Sequence, residues 1–291
     1  MNIFTKISQL TKLTDNEKLL VDFILSHPEK VMMMNAKELA LQTYVSQTTV
    51  YRLCNKLELS NFSDLKVLIA TQKKDFEKES QDMDFNYPFF HRQTHHEIIH
   101  NMESLYQQTI VATKNLLDLE TIKAIVQEMY NAKSIAIYPS VGNISVAENF
   151  RQNMQEIGQP IEIATSMYDQ HWSACIKGQN DLVIVISYMG RTPNILDLMH
   201  ELKKRKAKII LISATYEEQL SPLANYHLYM CSYESFHEKI SSFSSRISLQ
   251  YILDCLYSCY FERNFYDFLN FKIDNYIDYM INFFHCFDCF V

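Results

Sequence analysis

Asp181-Leu182-Val183-Ile184-Val185-Ile186-Ser187-Tyr188-Met189-Gly190-Arg191-Thr192-Pro193 is the stretch that decides the architecture. Its apolar run over 182–186 does not alternate, so it reads as a strand buried on both faces, as in a parallel sheet covered by helices. Thr192 as an N-cap and Pro193 at the first helical position predict that a helix starts there. Similar runs lie at 134–138, 161–164, 208–213 and 227–231, and amphipathic segments near 145–157, 167–176 and 194–206 separate most of them. Sheets of this kind bind ligands beyond the carboxyl ends of their strands, where helix N-termini offer free N–H groups. Two loops fall there: Pro139-Ser140-Val141-Gly142-Asn143 and 187–193. In the second, Gly190 permits close backbone approach, Ser187 and Thr192 supply hydroxyls, and Arg191 complements a phosphate. The same residues also suit an ordinary strand-to-helix turn, and chemistry alone does not separate the two readings.

The chain has 291 residues, 47% of them hydrophobic, enough for one large domain or two ordinary ones. It has four glycines, all between Gly142 and Gly190, where about twenty would be usual. Collagen-like, Gly-rich-linker and propeller architectures are excluded, and no G-x-G-x-x-G or Walker A loop exists. The net charge of −7 argues against a uniformly basic nucleic-acid coat. Residues 1–75 nevertheless hold ten basic and eight acidic side chains, so the remainder carries −9. A small near-neutral module therefore precedes a larger acidic one. Seven scattered cysteines, no signal-peptide pattern and no apolar run of about 18 residues point to a reducing cytoplasm and no membrane span.

The first module reads as short helices. Ile3, Ile7 and Leu10 share a face of an opening helix. Thr14 and Glu17 form a capping box ahead of Leu19, Leu20, Phe23 and Ile24, and Pro28 stops that segment. Asn35 with Glu38 starts a second helix that carries Leu39 and Ala40 inward. After a break at Tyr44-Val45, Ser46 caps a third helix that buries Val50, Leu53, Cys54 and Leu57, and Phe62, Leu65 and Ile69 mark a fourth. Helix, tight turn, helix is the helix-turn-helix plan. The exposed start of the third helix, Gln47, Thr48, Thr49, Tyr51 and Arg52, suits base edges and phosphates in a major groove. A polar face in any small bundle would look the same by spacing alone.

The string Val45-Ser46-Gln47-Thr48-Thr49-Val50-Tyr51-Arg52, with Lys56-Leu57 behind it, resembles the N-terminal module of RpiR-type bacterial transcription regulators. Asn35 and Lys37-Glu38-Leu39-Ala40 resemble that family's second helix. The resemblance implies DNA contacts from Ser46, Gln47, Thr48, Thr49, Tyr51, Arg52 and Lys56. Glu58 stands where the family usually has a glycine, which predicts that the usual left-handed glycine cap is missing.

Residues 72–90 are polar and read as a linker. A long amphipathic helix with Ile99, Met102, Tyr106, Ile110, Thr113 and Leu117 as its apolar face follows, and Asp118 caps a helix that buries Ile122, Ile125, Val126 and Met129. His96-Glu97-Ile98-Ile99-His100 is a literal H-E-x-x-H, the zinc-protease pattern. Only three positions are fixed, the region is histidine-rich, and no metzincin continuation follows, so we read it as a solvated helix face.

The later half resembles the SIS (sugar isomerase) domain that follows the helix-turn-helix in RpiR-type regulators. Asp181 to Thr192 matches its third-strand motif, Ser221-Pro222-Leu223-Ala224 a second, and Ser244-Ser245-Arg246 with Asp254-Cys255-Leu256 a third. The implied fold class is α/β with an N-terminal all-α domain: a helix-turn-helix bundle, then a five-stranded parallel-sheet, flavodoxin-like SIS sandwich. The implied boundaries are 1–77 for the DNA-binding domain, 78–120 for linker and helical joint, 121–264 for the SIS domain and 265–291 for an aromatic C-terminal helix. Such domains bind phosphosugars, which assigns the ligand to Ser140, Asn143, Ser187, Gly190, Arg191 and Thr192. Met189, Val141 and Pro139 depart from the family's serine and glycines. Either the ligand is held differently or phosphosugar binding has been lost.

Aromatic residues from Phe265 to Phe284 suggest a subunit interface, and Cys286-Phe287-Asp288-Cys289 is a lone, weak metal motif. The expected function is a cytoplasmic regulator that binds operator DNA and a phosphorylated sugar effector, without catalytic residue, metal or cofactor. As a homodimer or homotetramer it would place recognition helices some 34 Å apart, about one DNA turn. Coupling is expected to run through the helices at 72–131. The alternative is a phosphosugar isomerase with Glu234, His237 or Glu238 as base. A zinc hydrolase at His96 and His100 comes third.

Overall fold

The structure, a computed structural model, describes residues 3–8, 10, 13–73, 84–190, 194–231, 233–235 and 238–287. The N-terminal bundle comprises α1 (Ile3–Ser8), α2 (Asp15–Ser26), α3 (Pro28–Met33), α4 (Ala36–Gln42), α5 (Gln47–Lys56) and α6 (Phe62–Lys73). Thr14 with Glu17 and Asn35 with Glu38 both form complete capping boxes, and Ser46 caps α5. Pro28 does not simply stop a helix. It opens α3 at the first helical position, where its missing N–H costs nothing. Leu20, Ile24, Leu39, Leu53, Leu57 and Leu65 meet in the core.

Most left-handed helix ends in this glycine-poor chain use other residues. Tyr44, Glu58 and Lys206 have φ of 55°, 62° and 64°. Each is followed by the wide bond of a Schellman motif: Val45 N to Ala40 O at 2.9 Å, Leu59 N to Cys54 O at 2.9 Å, and Ala207 N to Leu202 O at 3.1 Å. The usual glycine is missing at position 58, yet the left-handed turn is kept. Glutamate adopts it, and Lys6 Nζ donates to both Leu57 O and Glu58 Oε2 at 2.8 Å.

The bundle leads through α7 (His95–Leu116) and α8 (Leu119–Asn131) into the sheet. Strands β1 (Ser134–Pro139), β2 (Glu162–Ile163), β3 (Asp181–Ile186), β4 (Lys208–Ser213) and β5 (Tyr226–Tyr229) are all parallel, in the order β2-β1-β3-β4-β5. The remaining helices are α9 (Ile144–Gln155), α10 (Met167–Ile176), α11 (Ile195–Lys204), α12 (Phe243–Glu262) and α13 (Phe265–Phe287). Strand side chains alternate between two cores. Ile137, Ile184 and Ile212 pack with α8, α9 and α12, while Ala136, Val183, Val185 and Leu211 pack with α10 and α11.

α11 spans Ile195–Lys204, with Asn194 as its cap at φ 61°; Thr192 and Pro193, where the sequence places the helix start, lie outside the described residues. Asparagine tolerates that left-handed turn better than most side chains. A further expectation changes: the buried face of α7 is Leu105, Thr109 and Thr113, while Ile99 and Tyr106 are exposed. The reason is α12, which presents serines: Thr109 Oγ1 meets Ser244 Oγ at 2.9 Å and Thr113 Oγ1 meets Ser248 Oγ at 2.7 Å. Thr113 donates to Thr109 O and Cys231 N donates to Ser248 Oγ, so Ser248 is the donor to Thr113. Pro88 and its neighbours are not loose linker: Phe85 is buried against Tyr233, and Asn86 accepts from Ser235 N and Ile240 N. Residues 74–83 of the expected linker lie outside the described residues, as does Cys289 of the C-terminal motif.

Candidate DNA-reading helix and sensor cleft

Ser46, Gln47, Thr48 and Arg52 are exposed along the start of α5. The other proposed DNA contacts are engaged within the protein. Thr49 is buried, its hydroxyl paired with Ser46 Oγ at 2.9 Å. Lys56 Nζ donates to the buried carboxylate of Glu17 at 2.8 Å. Burial pushes Glu17 up, but the hydrogen bonds from Lys56 and Thr14 outweigh it and hold this carboxyl below its usual range. Tyr51 is half-buried and donates to Asp118 Oδ1 at 3.3 Å.

A cleft of about 310 Å³ opens at the carboxyl ends of β1 and β3. Its polar lining is Ser140, Gln170, His171, Asn194 and Asp197, with Tyr138, Met167 and Leu198 as apolar wall. Ser140 Oγ accepts from Asn143 Nδ2 at 2.9 Å, which leaves its own proton to donate. Gln170 Nε2 donates to Pro139 O and Ala164 O at 3.0 Å each. Its two strand-end carbonyls are thereby satisfied, and its Oε1 remains as an acceptor. This is small-ligand volume with mixed donors and acceptors suited to hydroxyl groups.

Of the described residues assigned to ligand from sequence, only Ser140 lines this cleft. Asn143 is buried and supports Ser140, and Ser187 is buried with its N–H on Ile212 O at 3.0 Å. Gly190 has φ 64°, and a Cβ there would lie 2.8 Å from Glu217 Cγ, so glycine is required by both conformation and space. Arg191 and Thr192 lie outside the described residues. Sequence reasoning missed Gln170, His171, Asn194 and Asp197. Their signal was position: each lies within a few residues of a helix start that follows a strand.

The alternative chemistries have their residues placed too. Glu97 completes a capping box with Thr94, accepting its N–H at 2.7 Å and its hydroxyl at 2.8 Å. Among the described residues, no three or more His, Cys, Asp or Glu are arranged to hold a metal ion. Glu234 is buried and accepts from Ser244 N, Ser245 N, Ser245 Oγ and Lys239 Nζ. Glu238 is exposed, and His237 lies outside the described residues.

The class of protein so defined is a helix-turn-helix bundle joined to a parallel-sheet α/β domain with a cleft of small-ligand size at its strand ends. Residues 1–75 match the helix-turn-helix domain of the rpiR family, and residues 128–254 match the SIS domain. The chain belongs to the RpiR family. It is 26% identical over 258 residues to the uncharacterized HTH-type transcriptional regulator YbbH of Bacillus subtilis, covering 84% of this chain and 85% of that one. It is 25% identical over 223 residues to the bifunctional protein glk of Burkholderia thailandensis, covering 73% of this chain and only 33% of that longer protein. Among solved structures it is similar to the Vibrio vulnificus NanR protein complexed with ManNAc-6P, with a TM-score of 0.58 and 17% identity over 96% of this chain and 98% of that one. That likeness shows the fold. No helix of the described residues is long and apolar enough to cross a membrane.

Proposed function

We propose that this chain is a cytoplasmic transcriptional regulator of sugar-metabolism genes that reads operator DNA with α5 and senses a phosphorylated sugar at its SIS domain. The observation that carries the reading is the pairing, on one chain, of an exposed recognition-helix start with a ligand-sized cleft at the strand ends. The cleft walls suit the hydroxyls of a sugar ring. The 187–193 loop, where a family phosphate site would lie, is the place for the phosphate, with Arg191 as its charge partner and Met189 replacing a serine. YbbH is named as a regulator and the NanR structure contains a sugar phosphate, and both support the reading. No catalytic role is assigned, because Glu234, one candidate base, is committed to the start of α12.

The test is a thermal-shift panel of sugar phosphates and their unphosphorylated parents, followed by duplex-DNA binding across a salt series. One sugar phosphate should raise the melting temperature and alter DNA affinity. Arg52→Ala should weaken DNA binding and flatten its salt dependence. Turnover of a sugar phosphate without DNA binding would establish the isomerase instead.

A further inference from the structure

The DNA-binding bundle is docked on the SIS domain through named contacts. Asp64 of α6 accepts from Tyr229 at the end of β5 at 3.0 Å, both side chains being buried. Ser63 Oγ donates to Leu116 O at 2.8 Å, and Lys66 Nζ donates to Asn115 O. Burial pushes the Lys66 ammonium down to about 8. Tyr216, from the segment between β4 and β5, packs on the bundle's core. In this arrangement Tyr51 of the recognition helix lies against Asp118, with Glu120 two residues on at the exposed start of α8. A DNA phosphate brought to Tyr51 would meet both carboxylates well within a Debye length of about 8–10 Å. The docked arrangement is therefore electrostatically opposed to DNA at one end of the reading face.

The segment that carries Tyr216 also touches the ligand-facing loop. Ala214 N donates to Tyr188 O at 2.7 Å. Gly190 sits so close to Glu217 and Leu220 that a Cβ would stand 2.8 Å and 3.0 Å from their side chains. One short segment, 214–220, thus contacts the effector loop on one side and the DNA-binding domain on the other.

We propose that segment 214–220 holds the DNA-binding domain, through Tyr216, in a docked arrangement of low DNA affinity, and that a ligand at the turn from Ser187 to Gly190 releases it by moving that segment. This rests on the regulator reading and names its coupling route, which bypasses the α7–α8 joint expected from sequence. The two-state element is the docking itself, biased from either side.

The test uses the full chain and mixed-sequence duplex DNA, with hydrogen exchange over α5 and α6 as a readout independent of DNA. Tyr216→Ala removes the packing on the bundle. Gly190→Ala pushes the segment from the ligand side. Asp118→Ser keeps a capping hydroxyl for α8 while withdrawing the carboxylate from Tyr51. Tyr216→Ala and Gly190→Ala should each speed exchange in α6, and all three variants should raise duplex affinity by about fivefold or more. The double variant Gly190→Ala with Tyr216→Ala should gain no more than the stronger single, because both act on one segment. Strong duplex binding that Tyr216→Ala and Asp118→Ser leave unchanged overturns the proposal and spares the regulator reading, as does full additivity in the double variant. Absence of duplex binding by every form at low salt overturns both.

Discussion

Lys206 occupies a backbone position that side chains avoid. Its φ of 64° ends α11 in the left-handed region, with Ala207 N bonded back to Leu202 O. A non-glycine residue there costs about 1 kcal/mol, and its side chain is exposed. Lys206→Gly should therefore raise unfolding stability by about 1 kcal/mol, part of it offset by the greater freedom glycine gives the unfolded chain. Urea denaturation at constant m-value checks this. Glu17 makes a second prediction at the same scale. Its folded acidity is shifted down by Lys56 and Thr14 against the opposing effect of burial. A depressed carboxylate contributes stability above its unfolded value of about 4.3, lost as pH falls through the lower folded value. Acid titration of stability should thus be steeper below pH 4.3 or so for the wild type than for Glu17→Gln, which keeps the capping amide and loses the charge.

At the scale of elements, a buried polar chain joins α7 and α12: Cys231 N–H to Ser248, Ser248 to Thr113, Thr113 to Thr109 O. Thr113→Val keeps shape and strands the Ser248 proton, so it should destabilise by about 1–3 kcal/mol. Thr113→Val combined with Ser248→Ala should not fully restore stability, because the buried hydrogen bond from Cys231 N–H to Ser248 Oγ is lost with the hydroxyl. Urea unfolding of the two variants decides this. The same contrast explains what sequence could show. Capping boxes at Thr14 and Asn35, the Ser46 and Asp118 caps and unbroken strand runs are local signals, and all became elements where the residues placed them. The buried face of α7 was not legible, because its partner is a row of serines more than a hundred residues away. Short α3 was hidden by Pro28, which reads as a stop and here is a start. At the cleft, Ser140 was found through its place after β1. Gln170 and Asp197 were not, because they belong to helices whose first turns reach the site only once the sheet is assembled.

At the scale of the molecule, α13 folds back on the SIS domain. Phe271 packs over Gly158, where a Cβ would stand 3.0 Å from its ring, and Lys272 pairs with Glu156 at 2.6 Å. Tyr266, Ile273 and Tyr276 of the same helix remain exposed. Our reading of this face as a subunit contact predicts a particle larger than one chain by sedimentation at micromolar concentration. Tyr276→Glu with Ile273→Glu should shift it toward the single chain, and an unchanged particle would place the contact elsewhere.

The threonine–serine contact also bears on how far α7 is free to move. Thr109 faces Ser244 and Thr113 faces Ser248, the same four-residue interval on two helices running in the same direction. Sliding α7 by one turn, about 5.4 Å, brings Thr109 opposite Ser248 and forfeits one hydroxyl pair, while the other is remade with a new member. Losing one buried hydroxyl pair costs about 1 kcal/mol or more, so the two pairs act as a toothed stop that fixes the register of α7 on α12 as well as their approach.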